Sequence, residues 1–209
     1  MKSSPILACC LIVVFAVSHG GVAMAEESSG QSPQHAIRGV DAVPGDSLFQ
    51  LPVTLQTADG SFVRLAELRG RPLVITMFYS HCASVCPLLT AQVQRLIQRF
   101  SASERQEIRI VMVSFDAQRD TPEALTAFKA EHHIQDANWI VARATANDVR
   151  ALAAALGIRY RELADHTFNH SAIVSVTDRD GTVRARTSEL TEPDETFIAA
   201  VRTEISGTL

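Results

Sequence analysis

The feature that most constrains this chain is a pair of cysteines, Cys82 and Cys86, between a predicted strand and a predicted helix. The residues Leu73–Phe78 before the pair are apolar or β-branched, which is typical of a short buried strand. After the pair, apolar side chains recur at helical spacing over residues 88–100. If both cysteines lie on the first helical turn, their Cβ atoms are about 5–6 Å apart on one face. The sequence therefore predicts two sulfur atoms within reach of each other.

Two kinds of chemistry suit such a pair. The separation allows a disulfide, and it also allows one metal ion to sit between two sulfurs. Both need a deprotonated sulfur, which the positive end of the helix dipole favours. The Cys-x₃-Cys spacing is one residue longer than the Cys-x₂-Cys of thioredoxin-type oxidoreductases, and it places both side chains on one face to hold a common ion. On residues alone, the two readings remain open.

Residues 1–25 predict a secretory signal peptide. Lys2 supplies a positive charge, residues 6–17 form an apolar core, and 23–25 read Ala-Met-Ala before a cleavage point. The apolar core is shorter than the roughly 20 residues of a membrane span. We therefore expect a cleaved signal and a periplasmic protein, with a retained inner-membrane anchor facing the periplasm as the alternative. Cleavage after Ala25 removes Cys9 and Cys10 and leaves only the close pair.

An exported protein with one close cysteine pair uses it either as a local disulfide or for chemistry. A local bridge closes a very short loop and stabilises little, so chemistry is the better interpretation. The chain without residues 1–25 has 18 basic and 23 acidic residues, a formal net charge of −5. This charge argues against nucleic acid or an anionic membrane surface as the main partner.

The remaining pattern predicts an α/β fold. Residues 26–45 are rich in polar residues and glycine and read as a flexible leader, and 46–209 read as one domain. Strand and helix signals alternate through this domain, with hairpin turns at Asp59-Gly60 and Asp180-Gly181. We expect a thioredoxin-like arrangement with a central mixed sheet, flanking helices and an added N-terminal hairpin. The further elements are a strand at 108–115, a helix beginning at Thr121-Pro122, a strand at 139–141, a helix at 147–156, a strand at 171–176 and a closing helix at 195–205.

Two thiolates leave the coordination shell of most metals incomplete, so a third ligand is expected. His170 stands just before the predicted strand at 171–176, where a loop can bring its imidazole over the cysteine helix. On spacing alone, a hydrogen-bonded histidine at a strand entrance is the more common interpretation. His166 competes from the same loop, and His81 adjoins Cys82 but is expected to point elsewhere.

Asp116 and Asp120 follow the second central strand, at the same end of the sheet as the cysteines. From chemistry alone, this segment is most simply a turn followed by a helix cap at Thr121.

Three segments together resemble the SCO/SenC family of copper-handling proteins: residues 79–87, residues 113–123, and the stretch from His170 to Asp180-Gly181. The resemblance runs from about Leu48 to the C-terminus. It implies a thioredoxin-like fold, a membrane-associated or periplasmic location, and a role in delivering copper to cytochrome c oxidase. It also implies that copper binds to Cys82, Cys86 and His170.

The motif flanks depart from the family pattern. Ala83 stands where the family usually has proline, followed by Ser84 at a position that is usually acidic or polar, and Ala117 stands where a proline commonly follows the aspartate. These changes remove no ligand, but altered flanks can retune redox potential or partner choice.

Soft sulfur ligands suit Cu(I), and an added imidazole allows Cu(II). Zn(II) accepts the same donors, so the resemblance is what favours copper.

The leading hypothesis is a copper chaperone that passes copper to the copper-site subunit of cytochrome c oxidase, or to another periplasmic cuproprotein. The alternative is a thiol-disulfide oxidoreductase that acts on partner cysteines through the redox-active pair Cys82 and Cys86. Other copper chaperones or thiol reductants are further candidate partners. Membrane contact is expected only through a partner or an uncleaved N-terminus.

Overall fold

A computed structural model describes residues 43–82, 85–192 and 194–207; the predicted signal peptide and most of the predicted leader lie outside them. Strands β1 to β9 span Thr54–Thr57, Phe62–Arg64, Leu73–Phe78, Arg109–Ser114, Trp139–Arg143, Tyr160–Glu162, Phe168–His170, Val174–Thr177 and Val183–Thr187. Helices α1 to α5 span Val85–Gln98, Ala102–Gln106, Pro122–Glu131, Ala146–Leu156 and Glu195–Ser206. Short 3-10 helices cover Leu48–Gln50 and Leu65–Leu68.

Seven of these strands form one mixed sheet in the order β2-β1-β5-β4-β3-β8-β9. The three central strands β5, β4 and β3 are parallel, and the strands added on either side are antiparallel. Parallel strands require crossover connections, and helices supply them here. The predicted α/β fold is therefore confirmed, including the central mixed sheet, the flanking helices and the N-terminal hairpin β1–β2.

The core lies on both faces of the central strands. All six residues of β3 are buried, which explains why its sequence is a continuous apolar run rather than an alternating one. Helices α1 and α5 each bury one apolar face at helical spacing. The buried aliphatic and aromatic residues of those two faces are Leu89, Val93, Leu96, Ile97, Phe197, Ile198, Val201 and Ile205.

Local sequence signals account for several element ends. The Thr121 hydroxyl accepts a hydrogen bond from the Ala124 N–H, and Pro122 is the first residue of α3, as predicted. Gly157 ends α4 with φ of 71°, a left-handed conformation that glycine adopts without strain. In the β8–β9 turn, Gly181 also has a positive φ, and a Cβ there would lie 2.6 Å from the Phe49 ring. Glycine is thus required at this close approach.

The structure differs from the sequence prediction around His170. Strand β8 begins at Val174 rather than at residue 171, and His170 ends a short strand, β7, rather than lying in a loop. Strand β7 pairs only with β6, in a two-stranded sheet of three residue pairs. Segments this short show no useful hydrophobic periodicity, so the pair was not predicted, and neither was α2. Within the described ranges, no helix is long and apolar enough to cross a membrane.

Candidate metal centre

The cysteine pair lies at the junction between β3 and α1. Only Cys86 belongs to the first turn of α1, because the helix begins at Val85 and Cys82 precedes it. The condition that both cysteines lie on the first helical turn is therefore not met, yet the two side chains still lie close together. The Cys86 N–H donates to the Cys82 sulfur at 3.3 Å, which satisfies one of the N–H groups that a helix start leaves without an intrahelical partner. Both cysteines are buried, with 7% and 1% of their surfaces exposed.

His170 approaches from the β6–β7 hairpin, where it pairs with Tyr160. Its Nδ1 lies 3.2 Å from the Ser171 carbonyl oxygen, and its Nε2 lies 3.7 Å from the Cys86 sulfur. A carbonyl oxygen only accepts, so Nδ1 must carry the hydrogen. In a neutral imidazole, Nε2 then presents its lone pair toward the cysteines. This is the tautomer and second-shell arrangement that metal-ligating histidines commonly have.

The three predicted site residues come together. The sulfurs of Cys82 and Cys86 and a ring nitrogen of His170 all lie within 4.8 Å of one another. Ligands around one metal ion at 2.0–2.3 Å are separated by on the order of 4 Å. Small side-chain adjustments would thus let this group hold one ion with two sulfurs and one nitrogen.

Burial sets the charge of the group without metal. It raises the pKa of the Cys86 thiol well above its usual value. It also lowers the pKa of His170, an effect that the contact with the Ser171 carbonyl partly opposes. The buried thiol and imidazole are therefore neutral near pH 7. A bound cation would have to displace the thiol proton, and it would supply the positive charge that makes a buried thiolate tolerable.

Aromatic rings surround the imidazole, a feature that sequence reasoning missed. The Phe115 and Tyr79 ring centroids lie 5.0 and 6.0 Å from that of His170. Phe168 packs edge-on against Tyr79 at 5.2 Å. Phe115 and Tyr79 each follow directly after a parallel central strand, so their position at one sheet edge was a signal that could have been used. This wall keeps the imidazole half-buried and limits its orientations.

Asp120 holds the loop that carries Cys82 through hydrogen bonds to Ser80. Its side chain has no exposed surface, and it accepts hydrogen bonds from the Ser80 N–H at 3.0 Å and from the hydroxyls of Ser80 and Ser114. Ser80 is two residues before Cys82. The interpretation of this segment as a turn and helix cap holds for Thr121 but misses Asp120, whose partners are 6 and 40 residues away in the chain.

Two other histidines considered from the sequence have different surroundings. His81 is 54% exposed, and its Nδ1 lies 3.6 Å from the Asp120 carboxylate. Together with Asp116 these side chains form a second compact group, but the two carboxylates already accept hydrogen bonds from Arg119 and the serines. His166 lies in the hairpin turn, where its Nδ1 pairs with Glu162 at 2.7 Å. It is not part of the cysteine group within the described residues.

Comparison with known proteins agrees with the family resemblance of the sequence and extends it over residues 42–206. The SCO1/SenC family model matches residues 42–206. The SCO1 protein homolog of Bacillus subtilis (strain 168) is 32% identical over 88 residues, which are 42% of this chain and 45% of that protein. The chain spans about half the length of the curated relatives that it matches.

Solved structures share the fold. ScoI of Bradyrhizobium japonicum, solved with copper bound, superimposes with a TM-score of 0.62 at 20% identity and covers 73% of this chain and 97% of that one. BsSco is a member of the Sco family of cytochrome c oxidase assembly proteins, and a disulfide switch was identified in it. It superimposes with a TM-score of 0.64 at 22% identity and covers 75% of this chain and 93% of that one. At these identities the likeness establishes the fold. With the family match over 42–206, it follows that the chain belongs to the SCO1/SenC family.

Proposed function

We propose that this protein is a copper chaperone that binds copper through Cys82, Cys86 and His170, and delivers it to, or prepares, the copper site of cytochrome c oxidase. The observation that carries the proposal is the convergence of two sulfurs and one imidazole nitrogen within 4.8 Å. Membership of a family in which ScoI is solved with copper bound favours copper over Zn(II). The recipient is proposed by analogy with BsSco.

The donor set suits a cargo site in which copper is held and then passed on. Thiolates are soft ligands that favour Cu(I), and the imidazole extends the site to Cu(II). Copper is the cargo here, so it must leave by ligand exchange with a partner's donors. His170 is the most exposed of the three proposed ligands, since it is half-buried whereas both cysteines are buried. The imidazole is thus the ligand that a partner would most readily replace.

The test is the metal content and visible absorption of the protein from residue 26 onward, reduced and loaded with Cu(I) or Cu(II). We expect one copper per chain and a sulfur-to-copper charge-transfer band that disappears in Cys82→Ala and weakens in His170→Ala. His166→Ala is the matched control, because His166 lies in the same hairpin but pairs with Glu162. Unchanged Cu(II) retention in His170→Ala would refute the proposed ligand set.

A second candidate function is thiol-disulfide exchange with partner cysteines. The closeness of the two sulfurs favours it, since a bond between them needs only a local movement. The raised pKa of Cys86 makes that thiol a poor attacking group near pH 7, which would leave the attack to Cys82. His170→Ala separates the two functions: it should weaken copper retention and spare dithiol exchange. Rapid turnover of disulfide substrates, with no copper retained by the reduced protein, would favour the oxidoreductase.

Export with removal of residues 1–25 is also part of the proposal, and it rests on the sequence alone. The mass of the protein recovered from the cell envelope should correspond to a chain beginning at Glu26. A recovered chain that retains residues 1–25 would instead indicate an N-terminal anchor.

A further inference from the structure

The segment between β4 and α3 contacts both parts of the candidate metal centre. On one side, Asp120 accepts hydrogen bonds from Ser80 and so holds the loop that carries Cys82. On the other side, the Arg119 guanidinium donates from Nη2 to the backbone carbonyl of His166 in the turn of the β6–β7 hairpin. Adjacent residues of one segment thus fasten the cysteine loop and the hairpin that carries His170.

The hairpin needs such an attachment. Strands β6 and β7 pair with each other in a sheet separate from the seven-stranded one, and an isolated two-stranded hairpin is marginally stable in water. Aromatic packing holds one part of it, with the Tyr160 ring stacked on Phe115 at 4.9 Å. The turn end at His166 is exposed and has a positive φ of 61°. There the carbonyl bonded by Arg119 ties the turn to the body of the domain.

Arg119 suits this attachment because its own side chain is held in place. Its Nε donates to the buried Asp116 carboxylate, and its backbone N–H donates to the same carboxylate at 3.0 Å. A planar guanidinium can bond this carboxylate with one nitrogen while another reaches the His166 carbonyl. A lysine ammonium at this position would keep the charge but lose the fixed fork. The contact thus depends on geometry as well as on charge.

We propose that Arg119 is a positioning residue for His170: by fixing the turn of the hairpin, it sets the approach of the imidazole to the two sulfurs. The inference rests on the proposed copper site. The hydrogen bonds described for the Arg119 side chain go to Asp116 and to the His166 carbonyl, so we expect its effect on His170 to pass through the hairpin. Loss of the Arg119 side chain should lower the affinity for Cu(II), which depends on the imidazole, more than the affinity for Cu(I), which two thiolates hold well.

The experiment compares wild type with Arg119→Ala and Arg119→Lys in affinity for Cu(II) and Cu(I) and in the Cu(II) charge-transfer band. We expect Cu(II) affinity to fall about 10-fold in Arg119→Ala, with a shifted band; this is the lower end of the effect of losing a group that bonds a metal ligand directly, because Arg119 acts one contact further out. Cu(I) affinity should stay close to that of wild type. Arg119→Lys should fail to restore the band, because the ammonium lacks the fork.

Arg119 and Arg150 both line a cleft of about 390 Å³ next to the hairpin. Arg150→Ala is the matched control, because the Arg150 guanidinium donates a hydrogen bond to Asn147 on α4, whereas that of Arg119 donates to the hairpin turn. It should leave both affinities and the band unchanged. The decisive comparison repeats Arg119→Ala in the His170→Ala background. If Arg119 acts through His170, the substitution should have no further effect there.

Three outcomes would overturn the inference while leaving the proposed function intact. They are an unchanged Cu(II) band in Arg119→Ala, an equal effect in the His170→Ala background, and equal losses of Cu(I) and Cu(II) affinity together with a lower unfolding temperature. The last would assign Arg119 to the stability of the fold. Failure of wild type to bind copper at all would instead refute the proposed function.

Discussion

The two arms of the candidate metal centre are built differently. The cysteine arm connects β3, whose six residues are all buried, to α1, which buries seven residues. The hairpin arm, β6–β7, belongs to a separate two-stranded sheet in which every residue is exposed or half-buried. The sulfurs are thus fixed by the core of the domain, whereas the imidazole is carried by a segment attached through a few contacts. A site of this design can retain copper through its sulfurs while its third ligand is exchanged.

Hydrogen exchange tests this difference most directly and should show the largest effect. Amides of β3 should open only with global unfolding, at about 5–15 kcal/mol, whereas those of β6 and β7 should open at far lower free energy. The control is the β8–β9 hairpin, which has the same antiparallel pairing but belongs to the main sheet. Copper loading should slow exchange in β6–β7 through the added bond to His170, and in β3 only through the global stabilisation that comes with binding to the folded state. Equal protection of β3 and β6–β7 in the copper-free protein would contradict the comparison.

The second prediction concerns Asp120, which holds the loop that carries Cys82. Asp120→Ala removes a buried carboxylate and leaves the Ser80 N–H and two hydroxyl groups without their acceptor. We expect the free energy of unfolding to fall by roughly 3 kcal/mol, because unsatisfied buried groups are costly. Chemical denaturation followed by circular dichroism measures this loss.

Asp59 provides the matched control, since its carboxylate also accepts three hydrogen bonds but in the exposed β1–β2 turn. Asp59→Ala should be much less destabilising, because water replaces the lost acceptor. If the two substitutions lower the free energy of unfolding equally, the burial of the Asp120 carboxylate does not increase the cost of losing it.

The same contrast explains what the sequence could reveal. The cysteine arm was predictable because the continuous apolar run of β3 and the helical periodicity of α1 are strong local signals. The hairpin arm was not, because its strands have three residues each and its turn contains His166 with a positive φ rather than a glycine. The three proposed ligands were nevertheless named from residue chemistry and the family resemblance.

Contacts between distant segments were the other gap. Asp120 next to Thr121-Pro122 is most simply read as part of a turn before a helix, since nothing local shows that Ser80, 40 residues earlier, donates two hydrogen bonds to it. Arg119 likewise contacts His166 across 47 residues. The contact between Asp120 and Ser80 follows from the order of strands in the main sheet, which places the ends of β3 and β4 side by side. The contact between Arg119 and His166 depends in addition on where the separate β6–β7 hairpin packs. They become visible only once that order is known.

The last prediction is the smallest and concerns the effect of pH on the cysteine arm. Because burial raises the pKa of Cys86, this sulfur is a thiol near neutral pH, and copper must displace its proton. Copper affinity should therefore rise with pH, by about tenfold per unit for each proton released. The lowered pKa of His170 means that its imidazole is already neutral above about pH 7 and adds nothing to this slope.

Competition titrations with a chelator of known affinity, from about pH 7 to about pH 9, measure that slope. His170→Ala should keep it, since the imidazole releases no proton in this range. Cys86→Ala should reduce it by one proton, because the substitution removes the thiol whose pKa is raised. If the slope changes in His170→Ala but not in Cys86→Ala, the ligand that releases a proton on copper binding is His170 of the hairpin arm and not Cys86 of the cysteine arm.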